Sequence, residues 1–103
     1  MEDVTMTIRC EPLYQIAIGI KRIEYREIKP YWTNRLSRVK APFHLRLING
    51  MTSNAPKVTV LVEQVRKNSR SRNFELVLGK VLKVEHWSTL RKRANAARKT
   101  GPE

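Results

Sequence analysis

Between Val4 and Cys10 apolar and polar residues alternate, with Val4, Met6, Ile8 and Cys10 on one face and Thr5, Thr7 and Arg9 on the other. That two-residue period predicts a half-buried strand. Glu11-Pro12 breaks the period and opens a short helix, because proline fits the first turn and an acidic side chain suits its positive end. Leu13, Ile16 and Ala17 form its apolar stripe, Ile20 continues the spacing, and Gly19 marks the stop. From Arg22 to Ile28 the chain reads as extended, with Ile23 and Tyr25 predicted to face the core and Arg22, Glu24 and Arg26 to face away. Pro30 starts a second short helix through Leu36, with Trp32, Arg35 and Leu36 on one side.

Phe43 to Ile48 is a strand closed by the turn signal Asn49-Gly50. Lys57 to Val65 is a second strand, with Val58, Val60 and Val62 opposite Thr59, Leu61 and Glu63. Phe74 to Trp87 is a third, interrupted at Gly79 by a bulge or bend. Residues 66–72 are then the connection between neighbouring strands. Ser88 is a candidate cap for a helix from Thr89 to about Ala97. The chain has no internal repeat and no low-complexity segment. About five strands with two or three short helices predict an α+β fold, a small mixed β-barrel with helices at its ends. The 103 residues make one domain, expected over residues 1–90, followed by a basic, flexible C-terminal tail over residues 91–103.

Charge changes the picture from fold to partner. Lys and Arg number 21 against 9 Asp and Glu, a net charge of +12. Residues 1–65 hold ten basic and six acidic side chains, whereas residues 66–103 hold eleven and three. Two clusters dominate: Arg66, Lys67, Arg70 and Arg72 in the connection, and Arg91, Lys92 and Arg93 with Arg98-Lys99 in the tail. Solvated surface is the ordinary reading of such runs. Two runs of one sign with no acidic counterpart favour contact with a polyanion backbone.

Other chemistries find little support. One cysteine, Cys10, forms no internal disulfide, and Met1-Glu2-Asp3 is acidic where a signal peptide is basic. A cytoplasmic, monomeric protein without membrane attachment is therefore expected. His44 and His86 stand far apart and build no metal site, the four glycines form no phosphate-cradling loop, and no nucleophile elbow occurs. No metal and no cofactor are expected.

The segment Gly19-Ile20-Lys21-Arg22-Ile23-Glu24-Tyr25-Arg26, then Lys29-Pro30-Tyr31-Trp32-Thr33-Asn34-Arg35-Leu36, concentrates the candidate chemistry. Lys21 and Arg26 set two cations beside one carboxylate where a helix passes into a strand. A carboxylate accepts from an exocyclic amino group of a base, and the cations suit phosphate or a carbonyl. The pattern G-x-K-x-x-E-x-R resembles the ASCH family (activating signal cointegrator homology), a branch of the PUA-like β-barrels. Ile48-Asn49-Gly50, the Val-rich strand and the segment from Phe74 to Leu82 resemble the closing strands of small bacterial and phage-type members. The likeness spans about residues 4–87.

The resemblance implies RNA or modified-nucleotide binding. In one enzyme branch it implies a hydrolase releasing acetyl from acetylcytidine, and a further branch is ribonuclease-like. The acetylcytidine branch uses a lysine matching Lys21, a threonine at the position of Glu24 and a later glutamate. This chain carries Glu24 instead; Thr33 is the near threonine, and Glu63 and Glu75 are the available later acids. The ligand set expected is Lys21, Glu24, Arg26, Trp32 and Arg35. Lys21 and Glu24 are the catalytic candidates if there is turnover. Arg66, Lys67, Arg70, Arg72, Arg91, Lys92 and Arg93 are expected to contact the nucleic-acid backbone.

Overall fold

The computed structural model describes residues 1–99. In chain order the elements are β1 (Asp3–Thr7), α1 (Cys10–Ala17), β2 (Ile23–Glu27), α2 (Pro30–Ser37), β3 (Phe43–Ile48), β4 (Lys57–Asn68), β5 (Asn73–Glu85) and α3 (Trp87–Lys99). The strands make one mixed five-stranded sheet in the order β1-β3-β4-β5-β2. β1 runs parallel to β3, and the other neighbours are antiparallel. The fold is α+β, a half-barrel whose two free edges are β1 and β2.

Alternation along the strands sends one residue in two to the concave face. Val4 and Met6, Phe43, Leu45 and Leu47, Val58, Val60 and Val62, and Leu76 and Leu78 are all buried there. Leu13 and Ile16 of α1, Leu36 of α2 and Leu90 of α3 complete a single core. Gly79 sits where the β4–β5 register shifts, and an added Cβ would run into the Glu63 carboxylate. The interruption expected at Gly79 is thus a bulge, which bends the long hairpin around the core.

Four local expectations are corrected. β1 stops at Thr7, because Cys10 already belongs to α1. β2 has the opposite parity: Glu24 is buried at 6% exposure and Tyr25 is 48% exposed. The register sets Glu24 opposite Leu76 and Arg26 opposite Phe74, both inward-facing, so the polar residues share the concave face. Residues 66–68 continue β4, which shrinks the connection to a turn over 69–72. The Asn68 Oδ1 accepts from the Arg70 and Ser71 amides, and Arg72 closes the turn at φ 60°.

The fourth correction concerns the tail. Helix α3 starts at Trp87, so Ser88 lies inside its first turn rather than capping it, and residues 91–99 continue the helix. Leu90 and Ala94 are fully buried. Tyr14 stacks on Trp87 with ring centroids 5.5 Å apart. Arg98 donates to Glu11 Oε1 and lies over Tyr14. That hydrogen bond raises the Arg98 pKa above its ordinary value. An amphipathic stripe at 87, 90 and 94 binds the segment to α1, which a flexible tail does not do. Residues 100–103 of the expected tail lie outside the described residues.

Candidate functional site

Local sequence builds the site's centre. Helix α1 ends in a left-handed Gly19 at φ 84°, with the Gly19 amide bonded to Ile16 O and the Ile20 amide to Gln15 O. This is a glycine C-cap in which the positive φ falls on the residue best able to adopt it. The turn delivers Lys21 to the start of β2, three residues before Glu24. Lys21 Nζ lies 3.5 Å from Glu24 Oε1. Arg26 donates from Nε and Nη2 to Glu24 Oε2, at 3.1 and 2.6 Å. The carboxylate is therefore held on one oxygen by a charge-assisted fork and faces an ammonium with the other.

Arg26 also closes the half-barrel. Its Nη2 donates to Thr7 O, 2.9 Å away on the opposite sheet edge. Arg35 does the same two residues earlier on β1, donating from Nη2 to Thr5 O at 3.0 Å and from Nη1 to the Tyr31 hydroxyl. Trp32 lies between them, its ring centroid 5.2 Å from the Arg26 guanidinium carbon and 5.6 Å from that of Arg35. Free strand-edge carbonyls thus find donors from β2 and α2, which blunts the β1 edge.

A cleft of about 480 Å³ opens at this seam, lined by Thr7, Ile8, Arg9, Pro12, Glu24, Arg26 and Asn49. Its volume falls in the range of small-ligand sites, about 300–1,000 Å³. Glu24 and Arg26 form its charged wall, and Lys21 stands behind Glu24 rather than in the lining. Arg9, the exposed residue that precedes α1, supplies a cation at the same cleft. Asn49 is pinned: its Nδ2 donates to Ile8 O, while its Oδ1 and backbone carbonyl accept from Arg93 Nη1.

The predicted residues therefore separate into groups. Lys21, Glu24 and Arg26 come together. Trp32 lines a second, neighbouring recess, and Arg35 is committed to β1 and Tyr31. Arg66 and Lys67 project from β4 and Arg70 and Arg72 from the turn, with Arg66 3.4 Å from Glu75. Arg91 and Lys92 are exposed on α3, whereas Arg93 is half-buried and holds Asn49. Thr7, Arg9 and Asn49 were not among the predicted site residues. Only the parallel β1–β3 pairing brings them together, and the one local signal was a cation just ahead of a helix start.

Among the described residues no three His, Cys, Asp or Glu side chains gather to hold a metal. No helix among them is long and apolar enough to cross a membrane. The half-barrel and its ion-lined seam define a small α+β domain with a polar cleft at the sheet opening. Set against protein-family models, curated proteins and solved structures, the chain matches none.

Proposed function

We propose that this chain binds single-stranded RNA or a modified nucleotide, holding one base against Glu24 in the cleft. The observation that carries the reading is a buried carboxylate, flanked by two cations, in the wall of a base-accommodating cleft on a +12 protein. Burying such a group costs solvation that core packing does not require, and charged clusters in clefts concentrate at functional sites. The resemblance of residues 19–36 to the ASCH motif supports the same reading, with Lys21 and Glu24 at the matching positions. A cytoplasmic monomer belongs to this proposal.

The pairing pattern also supports a choice of base. Glu24 Oε2 is taken twice by Arg26, which leaves Oε1 beside a cation. With Lys21 outside the lining, Oε1 is the carboxylate acceptor that Arg26 leaves to the cleft, and one such acceptor suits the single exocyclic amino group of cytosine or adenine. Guanine offers two adjacent donors and asks for both oxygens. Uracil sets a carbonyl where the amino group stands, against a carboxylate.

The test is binding of six-nucleotide cytidylate, adenylate and uridylate to wild-type protein and Glu24→Gln. A hydrogen bond to a charged group is worth about 1.5–3 kcal/mol, so the amino-bearing bases should lead by about tenfold or more. Glu24→Gln should remove that preference, since an amide both donates and accepts. Equal binding of all three by wild type would sink the reading. Metal-free release of acetate from acetylcytidine, or RNA cleavage lost in Lys21→Ala, would replace it with the hydrolase suggested by the resemblance.

A further inference from the structure

A second recess of about 260 Å³ lies beside the first, lined by Tyr25, Arg26, Glu27, Lys29 and Trp32. Arg26 lines both, so the two recesses share one residue. Tyr25 is an aromatic ring turned to solvent on a strand whose inward positions are polar. Lys21 Nζ lies over the ring, 5.2 Å from its centroid, and the residue remains 48% exposed. Trp32 is flanked by Arg26 and Arg35 and forms the wall rather than the platform. Lys29 pairs with Glu27 at 3.2 Å, but both side chains are about two-thirds exposed, and such a pair holds weakly.

Beyond this recess the chain leads to the basic hairpin. The Ile28 amide donates to Arg72 O at 2.9 Å, and Glu27 pairs with Asn73 in the sheet. The turn carrying Arg70 and Arg72 is thereby tied to the segment that joins β2 to α2 at the recess. From one end to the other the surface offers a carboxylate cleft, a shared arginine, a half-exposed aromatic ring, an exposed lysine in a weak pair and a cationic turn.

We infer that the Tyr25–Lys29 recess is a second nucleotide subsite, so that the ligand is a single RNA strand running from the Glu24 cleft across Tyr25 to the 69–72 turn. This inference rests on the base-binding reading of the first cleft. Two recesses that share a residue suit successive nucleotides of one strand. Stacking on an exposed ring favours any base, and the lysine and turn arginines take phosphates. Sequence choice then belongs to the first cleft and length dependence to the second.

The experiment measures binding of cytidylates and adenylates of one, two, three and six nucleotides, by competition against a labelled six-mer. In wild-type protein the affinity should rise about tenfold or more between one and three nucleotides, the usual strength of base–aromatic stacking. Tyr25→Ala should erase that step, so that one and three nucleotides bind the variant about equally. A series without the step, or a step that Tyr25→Ala retains, overturns the second subsite. Glu24→Gln separates the two readings. If it leaves the mononucleotide affinity unchanged, the first cleft is wrong; if it weakens all lengths equally while the Tyr25-dependent step persists, both stand.

Discussion

Leu90→Ala is expected to lower the melting temperature by about 10–25 °C, the effect of emptying a closed leucine site in a domain of this size. Leu90 is fully buried, and with Ala94 it supplies the apolar contact of α3. Leu13 and Ile16 of α1, in the same core, are equally enclosed, so the truncation leaves a cavity inside packed surroundings. Deleting residues 91–103 should cost at least as much. It removes the Ala94 contact, the Arg93 clamp on Asn49 and the Arg98–Glu11 pair together. The contrast is a double change, Arg91→Ala with Lys92→Ala, at two exposed positions of the same helix, where the expected change is within about 0.5 kcal/mol. Thermal unfolding followed by circular dichroism decides it. A truncated protein that melts like wild type would mean that α3 contributes nothing to the fold.

Arg26→Ala should destabilise the domain by about 3 kcal/mol, the scale for removing one partner of a buried ion pair. The side chains of Arg26 and Glu24 are only 16% and 7% exposed, so solvent screens the pair little. The loss has three parts: Glu24 keeps only Lys21, Thr7 O loses its donor across the seam, and the guanidinium leaves Trp32. Arg26→Lys should rescue little of this, because an ammonium cannot bond Glu24 and Thr7 with one planar fork. The double variant Arg26→Ala with Glu24→Gln should be more stable than Arg26→Ala alone, since no buried carboxylate is then left with Lys21 as its one cation. Denaturant unfolding of the four proteins in this cycle measures the coupling. A double variant less stable than Arg26→Ala would show that Glu24 is held by something other than its two cations.

Much of this was written locally. Strict alternation at 43–48 and 57–65 marks β3 and most of β4, because period-two patterning over a half-buried face has few other uses. Helices α1 and α2 follow from proline in the first turn, and the end of α1 follows from Gly19, whose φ of 84° suits glycine best. The grouping of Lys21, Glu24 and Arg26 was legible for the same reason: side chains two and three residues apart at one junction are neighbours whatever the rest of the chain does.

What the tertiary structure alone decided depends on contacts between distant parts of the sequence. Ile23 and Tyr25 carry more apolar surface than Glu24 and Arg26, so local pattern puts them inside. Pairing with β5 reverses this, because β2 is an edge strand at the barrel's open seam, where the inward face meets a cleft instead of the core. The helix was expected from Thr89 to about Ala97, but charge density concealed its docking. The stripe of Trp87, Leu90 and Ala94 is narrow beside five basic side chains between 91 and 99, and only the face offered by α1 gives it a place. Arg9 and Asn49 are 40 residues apart, and they share a cleft because β1 lies parallel to β3. A strand pattern specifies which residues share a face; it is silent on which strand lies alongside, and that choice belongs to the whole chain packing at once.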